Sequence, residues 1–75
     1  MENNLLLAFG QKVKEIRLRK GLSQEALGEL ADLDRTYISG IERGKRNVAL
    51  LNIVRLAEAL QVPMSDLVSF GGDND

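Results

Sequence analysis

The chain contains no cysteine and no histidine. Without cysteine there is no disulfide, no thiol nucleophile and no thiolate ligand. Without histidine the usual general base and the usual zinc sets are missing as well. No nucleophile–base pair or metal constellation can be assembled from the remaining residues, so the sequence reads as non-enzymatic, with no cofactor and no metal. Long apolar runs are also missing, and nothing approaches the roughly 20 residues of a membrane span. Met1-Glu2-Asn3-Asn4 lacks a basic segment, and the apolar Leu5-Leu6-Leu7-Ala8-Phe9 that follows is too short for a signal peptide. These absences fit a cytoplasmic protein with no membrane attachment. There is no repeat, no low-complexity tract, no interdomain linker and no alternating stretch long enough to predict a strand.

What is present fits one domain. The 75 residues can bury only a small core, which leaves an isolated copy marginally stable and makes dimerisation a source of further buried surface. The net charge is −1, but it is unevenly spread. Residues 11–46 hold nine basic residues (Lys12, Lys14, Arg17, Arg19, Lys20, Arg35, Arg43, Lys45 and Arg46) against six acidic ones. The flanks hold one basic and five acidic residues. Phosphate binding responds to such a local basic face, not to the total.

Periodicity and punctuation predict five helices. Leu6, Phe9, Val13 and Ile16 share one face of a helix over about residues 4–19, stopped by Gly21, with Arg17, Arg19 and Lys20 at its negative end. Ser23 caps a second helix over about 24–31, with Leu27, Leu30 and Ala31 expected inward. Asp32-Leu33-Asp34 forms a turn, with Leu33 plugging the core. Asp34 caps a third helix over about 35–43, buried through Ile38 and Ile41 and ended by Gly44. After the basic loop Lys45-Arg46-Asn47, Leu50, Ile53, Val54, Ala57 and Leu60 place a fourth helix over about 49–60. Pro63 opens a short apolar fifth over about 64–69. Residues 1–70 form the domain, including a C-terminal dimerisation segment, and residues 71–75 form a polar tail expected to be disordered.

Two short helices joined by a tight turn, the second with a polar outer face, make the layout of a helix-turn-helix, whose second helix enters the DNA major groove. The stretch from Phe9 to Leu67 resembles the phage-repressor-like helix-turn-helix family. The resemblance is carried by Arg17, by Gly21-Leu22-Ser23-Gln24-Glu25-Ala26-Leu27, by Ile38-Ser39 with Ile41-Glu42-Arg43-Gly44, and by Leu56-Ala57-Glu58-Ala59-Leu60. It implies an all-α, compact five-helix bundle of the lambda-repressor type. Residues Leu33 to Gly44, followed by Arg46-Asn47, further resemble the controller proteins of restriction–modification systems. That resemblance implies a small homodimeric transcriptional regulator that times expression of its own operon. The chain departs from the family pattern at Gly28, where Ala is frequent, and at Asp32, where the turn often carries Gly.

On this reading Arg35, Thr36 and Ser39 face base edges from the N-terminal part of the recognition helix, Arg35 being able to donate twice to guanine. Gln24, Tyr37, Arg43, Lys45, Arg46 and Asn47 are the candidates for phosphate contacts, which fix register without reading sequence. Gly40 leaves space for close approach. The resemblance implies that Arg17 and Glu42 form a structural ion pair between the first and third helices. Leu51, Met64, Leu67, Val68 and Phe70 are candidates for a dimer interface, with the Leu5-Leu6-Leu7 run partly interfacial. The partners expected are a double-stranded DNA operator with two-fold symmetry, a second copy of the chain and, for an activator, RNA polymerase. A phage-type repressor, the antitoxin of a toxin pair, and a protein-interaction module of the same fold that has lost DNA binding stay open as alternatives.

Overall fold

Leucines, Phe9, Val13 and Ile16 at helical spacing wind the first segment into α1 (Asn3–Arg19) in a computed structural model of the chain, which describes residues 3–69. It is followed by α2 (Gln24–Ala31), α3 (Arg35–Glu42), α4 (Leu50–Leu60) and α5 (Met64–Leu67), with no strand among the described residues. None of these helices is long and apolar enough to cross a membrane. Phe70 and the tail 71–75 lie outside the described residues.

The helix ends follow local chemistry. The Ser23 hydroxyl accepts from the Ala26 amide at 2.9 Å, and a carboxylate oxygen of Asp34 accepts from the Thr36 amide at 2.9 Å. Each satisfies one of the orphan amides of a first turn. The first four helices all stop in the same way. A left-handed residue follows each of them: Gly21, Asp32, Gly44 and Gln61. The next amide then reaches back five residues, as Leu22 does to Arg17 and Val62 to Ala57, each at 3.0 Å. Leu22, Leu33 and Val62, each just past such a stop, pack on the core. Asp32 thus takes the left-handed turn that its short polar side chain tolerates. Gln61 takes it with no such help, and no sequence signal marks it. Pro63 sits one residue before α5 begins, at its N-cap.

The core gathers Phe9, Val13 and Ile16 from α1, Leu27 and Ala31 from α2, Ile38 and Ile41 from α3, Leu56, Ala57 and Leu60 from α4, and Leu67 from α5. Three expectations are corrected by this packing. Leu30 is 60% exposed, because α2 buries the side centred between Leu27 and Ala31 and uses Gly28 against the following turn. Leu50 is 69% exposed and Leu56 fully buried. The inward face of α4 therefore runs through Leu56, Ala57 and Leu60, away from the start of the helix. Leu67 is fully buried within the monomer, so it closes the core and is not available to a second copy.

Two glycines let backbones meet. A Cβ on Gly10 would run into the Ile41 carbonyl oxygen and lie 2.9 Å from that of Glu42. A Cβ on Gly28 would lie 2.5 Å from the Leu33 carbonyl oxygen. Gly10 therefore sets how closely α1 can lie against α3. Gly10→Ala is expected to lower stability. Overpacking costs about 1–3 kcal/mol, more than the gain in helix propensity of up to about 1 kcal/mol. Urea denaturation monitored by circular dichroism measures the balance, and a midpoint at or above wild type would remove the close-approach role.

Candidate nucleic-acid interface

α3 has two faces of opposite character. Ile38 and Ile41 are buried beneath it, while Arg35 and Thr36 in its first turn are exposed. Ser39, one turn on, is half-buried, and Arg43 at the C-cap is exposed. At 100° per residue, Arg35, Thr36, Ser39 and Arg43 share one edge and Ile41 points the opposite way. Lys45, Arg46 and Asn47 continue outward in the α3–α4 loop, all exposed. Among the described residues, no carboxylate lies within ion-pair distance of Arg35, Arg43, Lys45 or Arg46. The polar edge of α3 and the loop after it thus form a continuous donor-rich surface whose charge is not neutralised by any of the described residues.

What aims this edge is a buried polar cluster. The Arg17 Nε donates to Glu42 Oε2 at 2.6 Å and its Nη2 to Glu42 Oε1 at 3.0 Å. The Nη1 of Arg17 donates to the Leu22 carbonyl at 2.8 Å. Gln24 Nε2 donates to Glu42 Oε1 at 3.1 Å. Both charged side chains are nearly removed from solvent, at 8% and 3% exposure. A planar guanidinium matches a carboxylate in this paired fashion. The arrangement ties α1, the α1–α2 turn, the first residue of α2 and the last residue of α3 into one unit. Among the described residues no buried side-chain polar atom is left without a partner. Gln24 is therefore held from within: one of its amide hydrogens serves Glu42, which leaves the other to reach outward.

A second cluster organises the loop. Gly40 does not open onto the surface. The space a Cβ would fill is taken by Arg46, whose Cγ would lie 2.9 Å from it. Seated there, Arg46 carries its guanidinium over the Tyr37 ring, 5.4 Å from the ring centre, within cation–π range. Tyr37 is half-buried against the core, and its hydroxyl accepts from the Asn52 side-chain amide at 3.1 Å. Sequence reasoning did not single out Asn52, and nothing in its local pattern marks it, because its partner lies on another helix. Gly10 was also missed, although a glycine within a helical pattern is itself a sign of close approach.

The remaining candidates divide. Leu51 and Val68 are exposed apolar residues, at 61% and 48%, and so are available to a second copy. Met64 is half-buried against the monomer core. Leu5 and Leu7 are exposed at 65% and 42%. Among the described residues no group of acidic side chains could hold a metal ion.

Comparison with known proteins locates this geometry. The helix-turn-helix family profile matches residues 13–67. Control protein C.BamHI of Bacillus amyloliquefaciens is 56% identical over 71 residues, covering 93% of this chain and 88% of that one. Control protein C.MunI of a Mycoplasma species is 46% identical over 68 residues, covering 89% and 92%. The crystal structure of the restriction-modification controller protein C.AhdI from Aeromonas hydrophila superposes with a TM-score of 0.82 at 53% identity, over 83% of this chain and 94% of that one.

Removing one member of the buried pair leaves the other charge without a partner, which costs about 3–5 kcal/mol, much of the total stability of a domain this size. Arg17→Met and Glu42→Gln are each expected to lower the urea midpoint strongly, and the double substitution to cost less than the two together. Strictly additive losses would show that the two side chains do not act as a unit.

Proposed function

The chain belongs to the helix-turn-helix family, and within it to the controllers of restriction–modification systems, and we propose that it binds its operator as a homodimer with α3 in the major groove. It is a sequence-specific DNA-binding transcriptional regulator. The observation that carries the proposal is the outward edge of α3, presented by an isoleucine underside and a buried ion pair, with Arg35 and Thr36 exposed at its N-terminal end.

Arg35 donates to guanine O6 and N7, Thr36 meets a thymine methyl or a base-edge acceptor, and Ser39 hydrogen-bonds the next base edge. Gln24, Tyr37, Arg43, Lys45, Arg46 and Asn47 hold the backbone on either side and set the register. In a dimer the two copies of α3 lie about one helical turn apart, roughly 34 Å, which gives the operator its two-fold symmetry. The exposed Leu51 and Val68 supply apolar surface for that dimer. The regulator activates at one site and represses at another according to occupancy, with RNA polymerase as the partner that activation requires. It works in the cytoplasm and catalyses no reaction.

Arg35→Ala is expected to bring operator affinity down toward that for scrambled DNA, a loss of about 1–3 kcal/mol in discrimination per half-site. Arg46→Ala should weaken binding to both duplexes alike and reduce the slope of log K against log salt by about one. Gel shifts over a salt series separate the two effects. Equal losses for Arg35→Ala on both DNAs would remove its base-reading role, and an unchanged slope would remove the phosphate contact of Arg46. Leu51→Lys should shift sedimentation toward the monomer, and a dimer of undiminished strength would place the interface elsewhere.

A further inference from the structure

We propose that Asn52 is a positioning residue for DNA binding, holding the Tyr37 hydroxyl so that its hydrogen is presented to a backbone phosphate. The proposal rests on the DNA-binding function above and adds a residue from a helix that does not itself carry the recognition edge. A phenolic hydroxyl has one hydrogen to give and lone pairs to receive. The Asn52 amide donates to the Tyr37 oxygen at 3.1 Å and so occupies the accepting side. Among the described residues no acceptor takes the hydroxyl hydrogen, which is left for an acceptor from outside. Phosphate oxygens can only accept, so the direction that Asn52 imposes is the one a phosphate needs.

The same ring carries the Arg46 guanidinium on its face, and Arg46 is seated by the missing side chain at Gly40. A cation on the face and a hydrogen donor on the rim of one ring are both suited to an anionic backbone. Asn52 lies on α4, which is anchored in the core by Leu56, Ala57 and Leu60. The ring is therefore referenced to the core and not to the exposed loop. Ordering Tyr37 and Arg46 before DNA arrives lowers the entropy lost on binding.

A phosphate contact does not depend on sequence, so the probe is a random-sequence duplex about two helical turns long, titrated at low salt by fluorescence anisotropy. Asn52→Ala and Tyr37→Phe are each expected to bind about fivefold more weakly, the worth of one hydrogen bond. The double variant should bind no more weakly than Tyr37→Phe alone. Alanine favours a helix more than asparagine does, which offsets much of the lost hydrogen bond to Tyr37, so Asn52→Ala should unfold near the wild-type temperature, which separates positioning from loss of fold. In the free protein, nuclear Overhauser contacts between the Tyr37 ring and the Arg46 methylenes should weaken in Asn52→Ala, and the chain's single tyrosine makes the ring signals unambiguous. Losses that simply multiply in the double variant, with wild-type binding intact, would overturn the proposal alone. A wild-type chain that binds no duplex would overturn it together with the function on which it rests.

Discussion

The Arg17–Glu42 pair is the constraint on which the rest of the structure depends. Its two charges come from the first and third helices and meet out of solvent, with Leu22 and Gln24 completing the hydrogen bonds. Such a pair contributes little net stability, because desolvation offsets most of the attraction. Its effect is geometric. Apolar side chains tolerate sliding past one another, whereas a guanidinium doubly bonded to a carboxylate has one good arrangement. The pair lies at the end of α3, and Gly10 brings the α1 backbone against the same end. Together they leave α3 little freedom to roll, so its polar edge stays outward.

The surface built on that frame uses the chain's charge economically. Acidic residues balance the basic ones overall, yet those along α3 and the following loop are left without partners among the described residues. The loop is organised before any ligand arrives. Gly40 seats Arg46, Tyr37 supports it, and Asn52 ties the tyrosine to α4. A clamp ordered in advance spends less of its interaction energy on immobilising side chains.

The small core bears on assembly. With one domain's worth of apolar burial and several leucines left in solvent, a single copy has a narrow stability margin. A homodimer formed through such leucines would couple folding, association and operator binding, since each removes apolar surface from water or favours the form that does.

Helix spacing, serine and aspartate caps, and the left-handed stops at Gly21, Asp32 and Gly44 act within a few residues. The sequence by itself therefore determined five helices, most of their ends, and the presence of a helix-turn-helix with its polar edge. Other features arise between residues far apart in the chain. The exposure of Leu30 and Leu50, the burial of Leu56 and Leu67, the occupation of the Gly40 space by Arg46 and the bond from Asn52 to Tyr37 are of this kind. Leucines on neighbouring turns are equally apolar, and an amide on a helix surface has many possible partners. Only the packing of one helix against another chose among them, and the tertiary structure decided those positions because that packing has no local signature.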